Sequence, residues 1–269
     1  IAAETTCCFM LSEPGAGSDA QNISTKAEKR GDKWVLNGVK HFISNGHKAD
    51  WGVVFALNDA DKRARGGISA FIIERDQWKV GRIHEGMAGF EGQAEVVLED
   101  VEVSPENVVG REGYGFAEAM RFLGAGRLHI AAGAVGVAQF LLNMGADYAG
   151  QRQSFGKPIA SYQGIQWMLA DSATEIYAAR NMIYHCAWLI DQGKDAAKEM
   201  SMCKLFATEM VNQVCDRVLQ IHGGMGWMKE TRTEGFYRSL RVLRIVEGTS
   251  EIQRMMIARA VLGEVARRG

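Results

Sequence analysis

The hydrophobic period of this 269-residue chain changes near residue 110, and that switch limits the folds open to it. Up to about residue 107 the apolar residues come in short β-branched and aromatic runs. These are "KWVLNGVKHFIS" (Lys33 to Ser44), "WGVVFAL", "ISAFIIE" and "AEVVLEDVEV", separated by Asp, Gly, Lys and Arg. No 3.6-residue stripe survives between them, so they predict strands, with Asn37-Gly38 as a hairpin turn. From about Gly113 the apolar side chains recur at helical spacing. Helices are expected over 114–149, 162–192, 195–222 and 250–267, with Gly193 and Gly223-Gly224 as stops. The chain is therefore expected to be α+β. A small antiparallel β-barrel or sandwich over 1–110 would be followed by an antiparallel four-helix bundle over 111–269. Gly124, Gly126, Gly133 and Gly136 lie inside the first helix. Each costs a helix roughly 1 kcal/mol against alanine, which predicts close approach of another backbone or a ligand.

Composition excludes several classes of function. The chain is 47% hydrophobic and 23% charged with a net charge of −1, giving no electrostatic reason to expect nucleic acid or an anionic membrane. No uninterrupted apolar run reaches the roughly 20 residues that span a bilayer, so no membrane span is expected. The start "IAAETTCCFM" has no basic segment and does not resemble a secretory signal. It begins with Ile1 instead of Met, so the chain is expected to be processed or a piece of something longer. Five cysteines at positions 7, 8, 186, 203 and 215 lack metal-ligand spacing and predict a reducing compartment without a metal site.

Two loops and one turn carry candidate chemistry. "MLSEPGAGSDA" contains Gly15-x-Gly17-x-x-Ala20, which satisfies a dinucleotide fingerprint on paper. That motif needs a helix directly after it to hold a pyrophosphate, and "QNISTKAEKRGDKWVLNG" has no helical stripe, so a nicotinamide-binding fold is rejected. Exposed backbone N–H groups with Ser12 and Ser18 still suit a phosphate or heteroaromatic ring. In "YAGQRQSFGKPIASYQ", Arg152 and Lys157 flank Ser154-Phe155-Gly156, which by itself is either a solvated connection or an anion site. In "RIVEGTSEIQR", Ser250 and Gln253 have capping-box spacing, and Glu247-Gly248 precede the helix they would start. Glu247 is then either a carboxylate complementing the helix dipole or a base presented to a pocket. His222 is read as a helix-end cap, and His129 and His185 as structural or solvated.

Seven segments together resemble the acyl-CoA dehydrogenase family, in that family's order and across essentially the whole chain. They are "LSEPGAGSD", "GDKWVLNGVKHFISNG", "DVEVSPENVVG", "GRLHIAAGAVGVA", "YAGQRQSFGKPIASYQ", "QIHGGMGWMKE" and "RIVEGTSEIQR". The family has an N-terminal helical domain, a middle β domain and a C-terminal four-helix bundle, and this chain looks like the last two only. The resemblance implies FAD as cofactor. Phe9, Leu11 and Ser12 would meet the flavin ring, and Gly17 and Ser18 its ribityl and pyrophosphate, with Ser18 also near CoA. Phe42 would pack on the ring and Ser44 approach N5. Arg152, Ser154, Phe155, Gln163, Gln220 and Gly224 would complete the FAD of a neighbouring subunit. Thr249 and Glu251 would reach the adenosine side. Arg127 would contact CoA, with Val246 and Gly248 at the acyl group.

The resemblance also decides between the two readings of Glu247. It would be the base that removes the Cα proton of an acyl-CoA thioester while Cβ delivers hydride to flavin N5, giving the trans-2-enoyl-CoA. Some members instead carry the base just before the CoA-binding arginine; here that position is Gly126, without a side chain. Ser239 stands where aspartate is frequent. Val246 stands where tyrosine is frequent and Gly124 and Gly126 where others carry polar residues, and these two differences imply a wider or differently shaped acyl pocket, for a branched, cyclic or longer substrate. Implied partners are acyl-CoA, electron-transferring flavoprotein and further copies of the chain in a dimer of dimers. Fatty acid β-oxidation would take place in a bacterial cytoplasm or a mitochondrial matrix. The competing expectations are a flavin oxidase or monooxygenase of the same fold and a non-catalytic oligomerising protein.

Overall fold

The computed structural model describes residues 4–87 and 91–267. It separates into two compact units, one up to Phe122 and one from Leu123.

The first unit is a single sheet of β1 (Cys7–Met10), β2 (Lys26–Arg30), β3 (Lys33–Ser44), β4 (Trp51–Leu57), β5 (Ile68–Glu74), β6 (Lys79–Glu85) and β7 (Glu91–Val103). Its order is β1-β4-β2-β3-β7-β6, with β5 on the other edge of β4. The pairing is not purely antiparallel. β1 runs parallel to β4 from Cys7↔Trp51 to Met10↔Val54, and β2 touches β4 in parallel at Lys26↔Leu57. These strands are neighbours in space but not in sequence, and alternation within a strand carries no information about its partner's direction.

Asn37-Gly38 is not a turn. β3 runs straight through it, and a bulge against β7 falls between Leu36 and Gly38. The Asn37 side chain fills the role of a ladder partner: its Nδ2 donates to Asp100 Oδ1 at 3.1 Å, and its Oδ1 accepts from Asp100 N at 2.8 Å. A Cβ on Gly38 would lie 2.7 Å from Thr25 Cα, so close strand approach explains the glycine. Trp34, Leu36, Ile43, Val54, Phe71, Val96, Leu98 and Val103 form the core.

The division between units runs through a helix. α1 (Gly115–Gln151) starts against the sheet: a Cβ on Gly115 would lie 2.5 Å from Ala70 N, and Phe122 stacks on Phe9 at 5.1 Å. The second unit therefore begins after the first turns of α1.

That unit holds the rest of α1 with α2 (Gln163–Asp191), α3 (Ala197–His222) and α6 (Ser250–Ala266). Ala131, Ala134, Val135, Ala138 and Leu141 from α1 meet Ile176, Ala179 and Ile183 from α2. Ala207, Met210, Val211, Val214 and Val218 from α3 complete this core. Length and composition alone would let α1 cross a bilayer, with a mean hydropathy of 1.4 over its most apolar window. Two shorter helices, α4 (Gly224–Trp227) and α5 (Thr233–Leu240), have no counterpart in the periodicity. Hydroxyls tie them together: Thr231 Oγ1 donates to the Met225 carbonyl at 2.8 Å and Thr233 Oγ1 to that of Gly226 at 2.9 Å.

The outer face of α2 is unusual for a polar helix surface. Trp167, Tyr177, Tyr184 and Trp188 are all more than half exposed.

Candidate active site

The turn that opens α6 places Glu247 in a conformation that side chains rarely adopt. Its φ is +56° and that of Gly248 is +86°. Such geometry in a non-glycine residue stores on the order of 1–3 kcal/mol and persists only where the surroundings enforce it. The helix cap is Thr249, not Ser250: the Thr249 side chain accepts from Ile252 N at 3.3 Å. Ser250 and Gln253 have other uses, so the expected capping box is absent. Ser250 Oγ donates to Glu209 Oε1 at 2.6 Å, and Gln253 Nε2 donates to the carbonyls of Glu247 and Gly248, both at 3.0 Å. Glu251 is exposed in the first turn of α6, and Val246 is exposed on the other side of the turn.

The Glu247 carboxyl is half-buried, and its Oε2 is sealed from solvent without a hydrogen-bond partner among the described residues. Burial pushes its pKa above the ordinary carboxylate value, against the opposing pull of Arg127, Lys204 and His129. Arg127, on α1, is buried and donates from Nε to the Glu247 carbonyl at 3.4 Å. The helical glycines beside it divide into two kinds. A Cβ on Gly126 would stand 2.9 Å from Glu247 Oε2, and one on Gly124 3.5 Å from the Met200 methyl. Nothing lies within 4 Å of Gly133 or Gly136. The space left by Gly126 is thus occupied by the Glu247 carboxylate, so the sequence places a carboxylate on one side of this contact and removes the side chain on the other.

In the first unit the loop after β1 is held by a pair that sequence reasoning passed over. Lys40, fully buried on β3, donates from Nζ to Glu13 Oε1 at 2.8 Å, to the Leu11 carbonyl at 3.3 Å and to the Phe55 carbonyl at 2.6 Å. Glu13 also accepts from Ser24 N, Ser24 Oγ and Thr25 N at 2.6, 2.7 and 3.0 Å. Burial alone would raise the Glu13 carboxyl, but Lys40 and these donors outweigh it and hold its pKa at about 2. The only sequence signal was a lysine between Val39 and Ile43 in a strand whose neighbours are apolar.

This pair sets the loop's backbone. The Ser12 carbonyl accepts from His41 N at 2.9 Å, and Glu13 and Ala16 exchange hydrogen bonds of 3.0 and 3.1 Å. Leu11 is buried, so only its backbone can face a ligand, whereas Phe9 and Ser12 are partly open and Ser18 is exposed. A Cβ on Gly15 or Gly17 would meet nothing within 4 Å. Phe42, with φ +56°, turns a ring that is 61% exposed out of the sheet, and Ser44 is exposed beyond it. An aromatic face, hydroxyls and an open glycine loop in one unit fit a flavin with its phosphates.

A third set lies at the far end of the helical unit. Arg152, Ser154 and Phe155 sit on a hairpin of β8 (Gln153–Ser154) and β9 (Lys157–Pro158). Its turn has positive φ at Phe155 (+49°) and Gly156 (+81°), and the Phe155 ring is 95% exposed. Tyr162 Oη, just before Gln163, donates to the Ser154 carbonyl at 3.0 Å. His222 accepts a ring stack from Tyr148 at 4.3 Å and pairs through Nδ1 with the Val218 carbonyl at 2.7 Å. It therefore packs the ends of α1 and α3 side by side, which brings Gln220 and Gly224 to the hairpin's end of the bundle. From Arg127 to Arg152 the helix rise is about 37 Å. Glu247 and Phe155 consequently stand at opposite ends of the unit.

Residues 8–101 match the profile described as "Acyl-CoA dehydrogenase, middle domain", and residues 113–262 match "Acyl-CoA dehydrogenase, C-terminal domain". The CarC subunit of the caffeyl-CoA reductase-Etf complex of Acetobacterium woodii is 43% identical over 266 residues, covering 97% of this chain and 70% of that protein. Butyryl-CoA dehydrogenase from Megasphaera elsdenii superposes with a TM-score of 0.92 at 37% identity, over 96% of this chain and 68% of that one. PigA, solved with FAD and proline, gives 0.91 at 30% identity, over 98% and 68%. The chain belongs to the acyl-CoA dehydrogenase family. It is an oxidoreductase, and its cofactor is FAD.

Proposed function

We propose that the chain catalyses flavin-dependent α,β-dehydrogenation of an acyl-CoA thioester, with Glu247 as the base. The observation that carries this reading is the Glu247 carboxylate itself. It is partly desolvated, held at a left-handed backbone position, and has one oxygen without a hydrogen-bond donor among the described residues. A carboxylate in that state is a stronger base than one in water, as removal of a weakly acidic thioester α-proton requires.

FAD supplies the acceptor for the β-hydride when bound. The chain's own groups do the rest. Glu247 takes the α-proton as the electron pair of that C–H bond moves toward the carbonyl and the α,β double bond forms. The N–H of Glu247 is offered as a donor to the developing negative charge on the thioester oxygen. Arg127 supplies a fixed positive charge for the CoA moiety, and Val246 and Gly248 shape the acyl side. Phe9, Leu11, Ser12, Gly17, Ser18, Phe42 and Ser44 hold the flavin, and Thr249 and Glu251 its adenosine side.

Arg152, Ser154, Phe155, Gln163, Gln220 and Gly224 complete the FAD of a second copy. This is supported by their distance from Glu247 and by the exposed ring of Phe155. The open aromatic face of α2 supports assembly into a dimer of dimers. Electrons pass on to electron-transferring flavoprotein, as the name of the Acetobacterium relative suggests for that complex. We place the reaction in β-oxidation, in a reducing compartment such as the bacterial cytoplasm or mitochondrial matrix; the five free thiols support it.

The same relative favours one further reading. With Glu247 as proton donor instead of base, the site runs in the opposite direction and reduces an enoyl-CoA. Anaerobic mixing of the yellow protein with a panel of acyl-CoAs tests the proposal: bleaching of the flavin by a saturated thioester supports dehydrogenation. Oxidation of the pre-reduced protein by enoyl-CoAs, with no bleaching by any acyl-CoA, assigns the reductase direction. A yellow protein that responds to neither overturns both.

A further inference from the structure

Resting on the reading of Glu247 as the base, we infer that Lys204 and Glu209 on α3 are positioning residues that hold the 244–250 turn and aim that carboxylate. Gly248 takes its positive φ freely, but Glu247 does not, so the cause of its conformation must lie in what grips the turn. α3 grips it at three points. Lys204, fully buried, donates from Nζ to the Gly248 carbonyl at 2.8 Å. Glu209 reaches across the turn: Oε2 pairs with Arg244 Nη2 at 2.8 Å, before Glu247, and Oε1 accepts from Ser250 Oγ at 2.6 Å, after it. Gln253 Nε2 then holds the Glu247 and Gly248 carbonyls from α6, so the Gly248 carbonyl is shared by Lys204 and Gln253.

Lys204 is the informative member. Among the described residues it forms no salt bridge within 4.0 Å, although its charge is buried. An ammonium so placed is expensive to bury, and an uncharged donor would serve equally well if a hydrogen bond were its whole role. The groups facing it are Arg127 from α1, Glu209 from its own helix, Glu247 from the turn and Glu251 from α6. Those facing Glu247 are Arg127 and His129 from α1 and Lys204 from α3. The Lys204 charge thus favours the ionised form of a carboxylate that burial disfavours, while its hydrogen bond to the next residue's carbonyl holds the turn that carries it.

The test uses the FAD-loaded full chain with glutamate labelled by carbon-13, the Glu247 carboxyl signal being assigned by its loss in Glu247→Gln. In Lys204→Met the Glu247 titration moves upward by on the order of one pH unit, and Lys204→Arg returns it to the wild-type value. The reductive half-reaction of Lys204→Met slows about 10-fold while the KM for the thioester holds, since the ground-state contacts to CoA are untouched. Glu209→Gln slows it with little effect on the titration, because it releases the turn without removing the nearby positive charge. An unchanged Glu247 titration and an unchanged rate in a folded, yellow Lys204→Met protein would overturn the inference. Should that variant not fold, Ser250→Ala reads the same clamp from its other side, and an unchanged rate there counts against it equally. Full flavin reduction by Glu247→Gln would sink the base assignment instead; the carboxyl titration in Lys204→Met is read independently of it.

Discussion

Glu13 in the sheet unit and Glu247 in the helical unit are both carboxylates taken out of water beside a buried lysine, and they come out opposite. Glu13 accepts from Lys40 and from three donors on Ser24 and Thr25, and its pKa is held at about 2. Glu247 has its lysine bonded not to the carboxylate but to the carbonyl of the next residue, its Oε2 accepts from nothing described, and its pKa rises. Burial is common to both; hydrogen bonds to the charged form are not. A carboxylate saturated with donors is an anchor, and one deprived of them has the chemistry we propose for a base. The first fixes a loop, the second is left free to take a proton.

The sharpest way to break this contrast is to neutralise each acid in turn. Glu247→Gln should lower the rate of anaerobic flavin reduction by about 10²–10⁴-fold with FAD retained, the range general-base removal gives. Stopped-flow absorbance measures it, and a loss under tenfold would place Glu247 with Glu13 among the anchors. Lys40→Met should instead unfold the sheet unit more easily, by about 3–5 kcal/mol, since it strands a buried carboxylate. Denaturant titration of Lys40→Met and of the double variant with Glu13→Gln checks this: the double variant should regain part of the loss.

The two acids should also lose their ionised forms in different pH ranges, because their pKa values are shifted in opposite directions. The folded pKa of Glu13 lies below its unfolded value, so its stabilisation is present above 4.5 and is lost as pH falls toward about 2. The Glu247 carboxyl titrates above 4.5, so flavin reduction should fall on acidification while the fold is still intact. Stability and reduction rate measured across the same acid range will separate the two.

Smaller effects sharpen the geometry. Gly126→Ala puts a methyl about where the Glu247 carboxylate lies, 2.9 Å from Oε2, and should slow reduction about 10-fold by displacing it. Thr249→Ala removes the α6 cap and should destabilise the helical unit by about 1 kcal/mol, readable as a lower thermal midpoint.

Much of this was legible in the chain itself. The change of period placed the long helices to within a few residues, because core-facing side chains must recur at 3.6 on a helix whatever packs against it. Gly126 and Arg127 could be set beside Glu247 only through the resemblance, since 120 residues separate Arg127 from Glu247. Thr249 took the capping role expected of Ser250, because a hydroxyl one residue earlier can serve the same helix start and Glu209 claimed Ser250. Asn37-Gly38 has turn chemistry but sits in a bulge, where Asp100 supplies the partner that a turn would not have needed.

The residues alone determined the four long helices and the main strand runs, and that a carboxylate would stand at a glycine turn before the last helix. Only the tertiary structure decided what that carboxylate is. Acidity depends on which donors and charges reach a group through space, and Lys40, Lys204 and Glu209 do so from strands and helices far away in sequence. Two glutamates written alike thus became one anchor and one carboxylate left short of donors, the group we propose as the base.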